Sequence, residues 1–229
     1  YINFQSGSVS TEEQYETRVI NSKVNVADDY TISGFHHLKG WVERQLYYII
    51  QFDKPIVSID TIKGNERNKA PVCVFHFNQK KGDVLQAKVA LSTVSIEGAY
   101  RNMDSELAHW NFNQVKEGSS KRWEDILSRV EIEGSVEQKR NFYTSMYHLF
   151  FQPNNMADVD GKYRGANDSV FVSLSGEYYS TFSLWDTFRA AHPMYTILVP
   201  EKVPDMINTM LTHSKVQGFL PIWALWGKE

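Results

Sequence analysis

The first ninety or so residues carry hydrophobic patterns that are typical of β-strands. Every second residue from 85 to 91 is apolar, and this period of two predicts a strand with one buried face. The run Val72–Phe77 is almost continuously apolar, and the segment 79–83, which contains Gly82, predicts a hairpin between these two strands. Further strands are predicted over 46–52, with both faces buried, over Ile56–Ile62 and over 24–32. Short strands at this spacing predict an antiparallel β-sandwich.

Helical patterns replace the strand patterns from about residue 112 onward. Apolar residues between 115 and 127 recur at helical spacing. Ser135 and Gln138 have the spacing of a capping box, which predicts a helix that begins at residue 136 and ends before Pro153. Between the strand-rich and helix-rich parts, residues 92–110 are predicted to form a short helical connector.

Two further helices are predicted in the last fifty residues. Ser183 opens one helix that Pro193 ends or kinks. The other begins near Pro204 and is closed by Gly218. A run of strands followed by a run of helices predicts an α+β protein with more than one domain.

Composition and charge exclude several classes of function. The 229 residues are 42% hydrophobic and 22% charged, which is typical of a folded chain. The net charge is −3 and there is no basic stripe, so nothing indicates nucleic-acid binding. No apolar run approaches the roughly 20 residues that span a bilayer. Cys73 is the single cysteine and is predicted to be a buried small hydrophobe.

The two ends of the chain predict that it is a piece of a longer protein. Tyr1 is not an initiator methionine and no signal-peptide pattern precedes it. At the other end, the chain stops at Glu229 without a tail.

The stretch from Tyr179 to Arg189 brings an aromatic ring, a carboxylate and a guanidinium together. Trp185, Asp186 and Arg189 suit a sugar, because a flat ring covers its apolar face while the charged groups bind its hydroxyls. A structural interpretation is also open: Ser183 caps a helix, Asp186 completes the cap, and Arg189 pairs with Asp186. These residues alone favour the structural interpretation.

Other candidate residues carry weaker signals. Seven histidines are present, but no pair has the spacing of a helical zinc site. Residues 158–161 resemble the opening of a calcium loop, yet Ser169 stands at the twelfth position, where a bidentate Glu belongs. They therefore predict an Asp-Gly turn. Trp223 and Trp226 have helical spacing and are interpreted as core, and Glu229 is a lone carboxylate beside a glycine.

Several of these stretches, taken in order, resemble glycoside hydrolase family 92. The central one is SLWDTFRAAHP at residues 183–193. The others are residues 32–35, 39–41, 94–99, 158–165, 199–201, 220–223 and 227–229. Together they cover most of the chain, and as a set they are more specific than any one of them.

The resemblance implies an exo-acting α-mannosidase that depends on calcium and inverts the anomeric centre. It also implies an N-terminal β-sandwich joined to a C-terminal (α/α)6 barrel. Residues 1–92 would be the later strands of the sandwich, residues 93–128 a helical connector, and residues 129–229 the first helices of the barrel.

The resemblance also implies which residues bind substrate. Trp185 and Asp186 match a motif that contacts the terminal mannose, Arg189 belongs to the same motif, and Glu229 matches a glutamate near the pocket. We expect Trp185 and Asp186 to face an open cavity. The general acid, the general base and the main calcium ligands are expected beyond Glu229. No catalytic residue and no metal ligand is therefore assigned within this chain.

The leading hypothesis is a fragment of a secreted mannosidase that acts on α-1,2-linked mannose of glycans, in the periplasm or outside the cell. We expect the fragment alone, without the rest of the barrel, to be inactive and to bind no calcium tightly. Two alternatives remain open: another (α/α)6-barrel glycosidase, and a non-catalytic carbohydrate-binding module built on the sandwich.

Overall fold

The computed structural model describes residues 2–3, 18–40, 42–64 and 69–228. The chain divides into two compact units, one of Tyr1–Trp110 with Met156–Gly176 and one of Asn111–Asn155 with Glu177–Glu229. The strands are β1 Ile2–Asn3, β2 Arg18–Val26, β3 Thr31–Lys39, β4 Arg44–Phe52, β5 Ile56–Ile62, β6 Val72–Phe77, β7 Ala87–Ser92, β8 Asn154–Asn155, β9 Lys162–Arg164, β10 Val170–Val172 and β11 Tyr179–Ser180. The helices are α1 Ile96–Glu106, α2 Phe112–Leu127, α3 Val136–Leu149, α4 Leu184–Thr187, α5 Ala191–Leu198 and α6 Val203–Gln217. The predicted domain boundaries at residues 92 and 128 remain predictions.

Two antiparallel sheets form the first unit. One has the strand order β2-β3-β4-β7 and the other β1-β6-β5. Side chains from both sheets share one core, in which the Phe52 ring lies 4.9 Å from Phe77 and 6.1 Å from Phe75. Cys73 is buried in the same core, as predicted. The predicted sandwich architecture is therefore confirmed, because aligned apolar faces of two sheets pack on each other.

Strand β4 is buried on both faces, as its sequence predicted. Ile50 belongs to the core between the sheets, whereas Ile49 packs on the opposite face with Ala99 and Met103 of α1. The four-stranded sheet is thus covered by the three-stranded sheet on one side and by α1 on the other.

Three predictions about the strands were wrong. Strands β6 and β7 lie in different sheets, so residues 79–83 cross between sheets instead of forming a hairpin, although Gly82 has the expected positive φ of 95°. In β7 the buried face carries Ala90, while Val89 is 52% exposed. The predicted strand 24–32 is the end of β2 and the start of β3, joined by a turn in which the Tyr30 N–H donates to Asp28 Oδ1 at 2.8 Å.

Helices supply most of the second unit, and the caps of α3 and α6 follow the sequence. The capping box of α3 is present: the Gln138 N–H donates to Ser135 Oγ at 3.3 Å, and the Ser135 N–H donates to Gln138 Oε1 at 2.8 Å. Helix α6 has a proline in its first turn and ends at Gly218, whose φ is 88°. The core of this unit is formed by Tyr179, Phe182, Tyr195, Val199 and Met206.

The helix predicted from Ser183 to Pro193 is two helices. Helix α4 has four residues and is followed by a turn, after which α5 begins at Ala191. Pro193 lies in the first turn of α5 and so neither ends nor kinks a helix. A proline is tolerated there because the first N–H groups of a helix have no partner within it.

Candidate functional site

The candidate sugar-binding motif follows directly after strand β11. Tyr179 and Ser180 of β11 pair with Asn155 and Asn154 of β8, and both side chains of β11 are buried. The chain then passes through Phe182, which is 2% exposed, before α4 begins. The motif is therefore attached to the hydrophobic core of the second unit.

A second segment supports the motif from its other side. The Phe182 N–H donates to the Ala224 carbonyl at 3.1 Å, and the Leu184 N–H donates to the Ile222 carbonyl at 3.0 Å. Farther along, the Gly227 N–H donates to the buried Ser180 hydroxyl oxygen at 2.5 Å. The residues before α4 are thus held between β8 and residues 222–227, which fixes the direction in which the helix starts.

Thr181 adopts a backbone conformation that is unfavourable for its side chain. Its φ is +66°, a left-handed value that β-branched residues rarely adopt. Its hydroxyl donates to Asn154 Oδ1 at 3.0 Å, and the Asn154 side-chain amide donates to the Phe151 carbonyl at 3.0 Å. Strained residues of this kind persist where the surrounding structure holds them, and they occur often at functional sites.

Asp186 does not complete a helix cap. The Ser183 hydroxyl makes no capping hydrogen bond and instead donates to Asp186 Oδ2 at 2.5 Å. In the described part of the chain, no other hydrogen bond or ion pair reaches this carboxylate. The structural interpretation of Ser183 and Asp186 as a capping box is therefore wrong, and the Asp186 carboxylate keeps free acceptor positions.

Trp185 and Arg189 are also accessible. The Trp185 side chain is 75% exposed, and both Asp186 and Arg189 are exposed. Within the described residues, Arg189 forms no ion pair with Asp186, and its guanidinium lies 5.1 Å from the ring centre of Phe188. Glu229 lies outside the described residues. Trp185, Asp186 and Arg189 are thus presented on one short segment, and their roles remain predictions.

A small cavity lies beside this segment. Its volume is about 190 Å³, and its lining includes His148, Phe151, Thr181, Ser183 and His192 but neither Trp185 nor Asp186. Burial lowers the pKa of the His192 imidazole. The cavity is smaller than the roughly 300–1,000 Å³ of most ligand sites. The expectation that Trp185 and Asp186 face an open cavity therefore stays a prediction.

Sequence reasoning misassigned both tryptophans near the motif. Leu225 and Lys228 bond to each other across a two-residue turn at 2.8 and 3.1 Å. The turn residues Trp226 and Gly227 have φ values of 54° and 78°, as in a type I′ hairpin. Trp223 is 43% exposed and Trp226 is 44% exposed, so the interpretation of both as core residues is wrong. Gly227, directly after Trp226, was the feature of the sequence that indicated a turn.

The described residues bring no cluster of metal-ligating side chains together. No group of three or more His, Cys, Asp or Glu side chains is placed to hold a metal within that part of the chain. Asp158 is buried, and its two oxygens accept hydrogen bonds from Ser92 Oγ at 2.7 Å and Asn102 Nδ2 at 2.9 Å. The predicted Asp-Gly turn is confirmed by the hydrogen bond from the Gly161 N–H to the Asp158 carbonyl at 2.8 Å.

None of the described helices is long and apolar enough to cross a membrane.

Comparisons with known families cover both parts of the chain. The profile described as the glycosyl hydrolase family 92 N-terminal domain matches residues 2–92. The profile described as the catalytic domain of the same family matches residues 98–229. A search among curated proteins found no significant match.

Solved structures show the same relationship. The chain is 31% identical to the family GH92 α-mannosidase BT3965 from Bacteroides thetaiotaomicron, with a TM-score of 0.83. The alignment covers 91% of this chain and 30% of BT3965. BT3965 has also been solved in complex with mannoimidazole. The inverting mannosidase BT2199 from the same organism is 25% identical, with a TM-score of 0.80 and the same coverage. The chain thus spans about 30% of the length of these relatives.

Proposed function

The chain belongs to glycoside hydrolase family 92, and we propose that a full-length protein containing it is an exo-acting α-mannosidase that releases terminal mannose from glycans. The observation that carries this proposal is the adjacent exposure of Trp185 and Asp186 on a segment held from two sides. The mannoimidazole complex of one relative supports mannose as the sugar.

Each exposed side chain has a role that suits a hexose. The Asp186 carboxylate accepts hydrogen bonds from mannose hydroxyls, because it is an acceptor with several lone pairs. The Trp185 indole forms a wall of the site against the apolar face of the ring. Arg189, which is exposed three residues after Asp186, supplies hydrogen-bond donors. The proposed place of Glu229 near the pocket rests on the family motif.

In our proposal, the general acid and the general base of the reaction lie outside this chain. An inverting glycosidase needs two carboxyl groups roughly 6.5–9.5 Å apart, of which one protonates the leaving oxygen and the other activates water. We place both beyond Glu229, together with the calcium ligands that the family resemblance implies. The chain alone is therefore expected to bind no calcium tightly and to hydrolyse no α-mannoside.

Linkage and compartment are proposed from the family alone. We propose α-1,2-linked mannose as the substrate linkage and the periplasm or the extracellular space as the location.

A panel of p-nitrophenyl glycosides tests the proposed activity on the full-length protein. We expect hydrolysis of the α-mannoside and at least about a hundredfold slower hydrolysis of the α-glucoside, α-galactoside and β-mannoside. The glucoside and the galactoside misplace hydroxyls that the site must bond, and the β-mannoside misplaces the leaving group. NMR should show β-mannose as the first product, and a chelator should reduce the rate.

Two results would overturn the proposal. A preference for another α-glycoside would favour a different (α/α)6-barrel glycosidase. Mannose binding without turnover of any glycoside would favour a non-catalytic carbohydrate-binding module.

A further inference from the structure

The carbonyl group of Ser183, and not its hydroxyl, satisfies the start of helix α4. Its oxygen accepts from the Asp186 N–H, the Thr187 N–H and the Thr187 hydroxyl, each at 2.9 Å. A serine at this position ordinarily uses its side-chain oxygen to accept from the second or third N–H of the helix. Because the backbone carbonyl takes this role here, the Ser183 hydroxyl is available for another partner.

That partner is the Asp186 carboxylate. The 2.5 Å separation between Ser183 Oγ and Asp186 Oδ2 is at the short end for a hydroxyl that donates to an ionised oxygen. Such a bond restricts the rotation of an exposed side chain that would otherwise sample several rotamers. Ser183 therefore selects one orientation of the carboxylate.

The remaining acceptor capacity of Asp186 matches a pair of sugar hydroxyls. An ionised carboxylate has about four lone-pair positions, and Ser183 occupies one of them. The others can accept from two neighbouring hydroxyl groups of a terminal hexose, provided that the carboxylate plane is held still. Pre-orientation of this kind improves binding because less freedom is lost when the ligand arrives.

We propose that Ser183 is a positioning residue, which holds the Asp186 carboxylate in the orientation that receives two adjacent hydroxyls of the terminal sugar. This inference rests on the proposed function, since it requires Asp186 to bind the substrate. The inference adds Ser183 to the proposed site as a residue that acts only through Asp186.

Four variants of the full-length enzyme test this role with a p-nitrophenyl α-mannoside. Ser183→Ala should lower kcat/KM about tenfold, the usual effect of losing a hydrogen bond to a charged group. Ser183→Thr keeps the hydroxyl and should stay within about threefold of the wild type. Ser183→Gly removes the hydroxyl but suits a helix start, so it should match Ser183→Ala even if the alanine variant folds poorly. Ser145→Ala is the matched control, because among the described residues the Ser145 hydroxyl bonds only to the Asn141 carbonyl of its own helix. This variant should equal the wild type.

A double-mutant comparison separates positioning from a general structural role. In an Asp186→Ala background, which removes the acceptor of the Ser183 hydroxyl, Ser183→Ala should change kcat/KM by less than about twofold, because coupled residues are not additive. An undiminished tenfold effect in that background, or wild-type kinetics for both Ser183→Ala and Ser183→Gly, would overturn the inference. If Asp186→Ala itself keeps wild-type kinetics, the substrate-binding role of Asp186 fails as well, which distinguishes the two proposals.

Discussion

Gly98 lies against the carboxylate of Asp158, so closely that a Cβ atom at position 98 would overlap Asp158 Oδ2 and come within 2.6 Å of Ser92 Oγ. The same carboxylate accepts hydrogen bonds from Ser92 and Asn102. These contacts join the segment 156–176 to α1 and β7 within the first unit. A glycine is required at this point of α1 because of this close approach and not because of its φ angle.

Replacing this glycine should reverse the usual effect of an alanine in a helix. Gly98→Ala should destabilise the protein by about 1–3 kcal/mol, because the added methyl overpacks a buried polar site. Gly118→Ala in α2 is the matched control, since no atom of the described residues lies within 4 Å of the added Cβ. It should stabilise the protein by about 0.5–1 kcal/mol. Thermal unfolding of the full-length variants measures both changes, and equal shifts in the same direction would contradict the assignment.

Asp158 should make stability depend on pH. Burial raises the pKa of the Asp158 carboxyl, a shift that the hydrogen bonds from Ser92 and Asn102 oppose. A raised pKa means that the folded protein favours the protonated acid. Its stabilising contribution is therefore complete below the unfolded pKa of about 3.9 and is lost as the pH rises through the folded pKa.

The measurement is the unfolding temperature of Asp158→Asn and wild type across this pH window. Relative to the variant, whose side chain cannot ionise, the wild type should lose stability as the pH rises from about 4. Asp125→Asn, a change at an exposed position of α2, should follow the wild type. Parallel curves for Asp158→Asn and wild type would show that the buried carboxyl does not titrate in this range.

Thr181 provides a test of strain beside the candidate site. Thr181→Ala and Thr181→Gly both remove the hydroxyl that donates to Asn154, but only glycine relieves the positive φ of 66°. Thr181→Gly should therefore be more stable than Thr181→Ala by about 1 kcal/mol, as judged by denaturant midpoints. Where φ is negative, an alanine is normally more stable than a glycine. If Thr181→Ala were the more stable variant, residue 181 would therefore not have a left-handed φ.

The sequence predicted those features that local chemistry decides. The capping box at Ser135, the glycine that ends α6 and the doubly buried β4 follow from propensity and pattern, and the structure contains all three. The change from strands to helices along the chain was predictable for the same reason, because hydrophobic period depends on neighbouring residues alone.

Features that depend on distant partners were not predictable. In β7, Ala90 is buried in place of the larger Val89 because α1 packs on that face, where Ala90 meets Ile49 and Met103. The sequence of residues 85–91 does not predict where a helix from later in the chain will pack. Residues 79–83 have the composition of a hairpin turn, but β6 pairs with β5, and this pairing is set by the tertiary structure.

The candidate site was predictable as a motif but not as a geometry. The spacing of Ser183 and Asp186 is that of a capping box, and the sequence could not show that the Ser183 carbonyl already accepts the helical N–H groups. The direction of the Ser183 hydroxyl, which decides between a cap and a presented carboxylate, is visible only in the folded chain.

The central claim is that Asp186 and Trp185 bind the terminal sugar, and kcat/KM of full-length variants for an α-mannoside tests it most directly. Asp186→Ala should lower kcat/KM at least about tenfold, because hydrogen bonds to a charged group are lost. Trp185→Ala should lower it through loss of the ring contact, and the exposed control Asp125→Asn should leave it unchanged. Wild-type kcat/KM in both Asp186→Ala and Trp185→Ala would contradict the account.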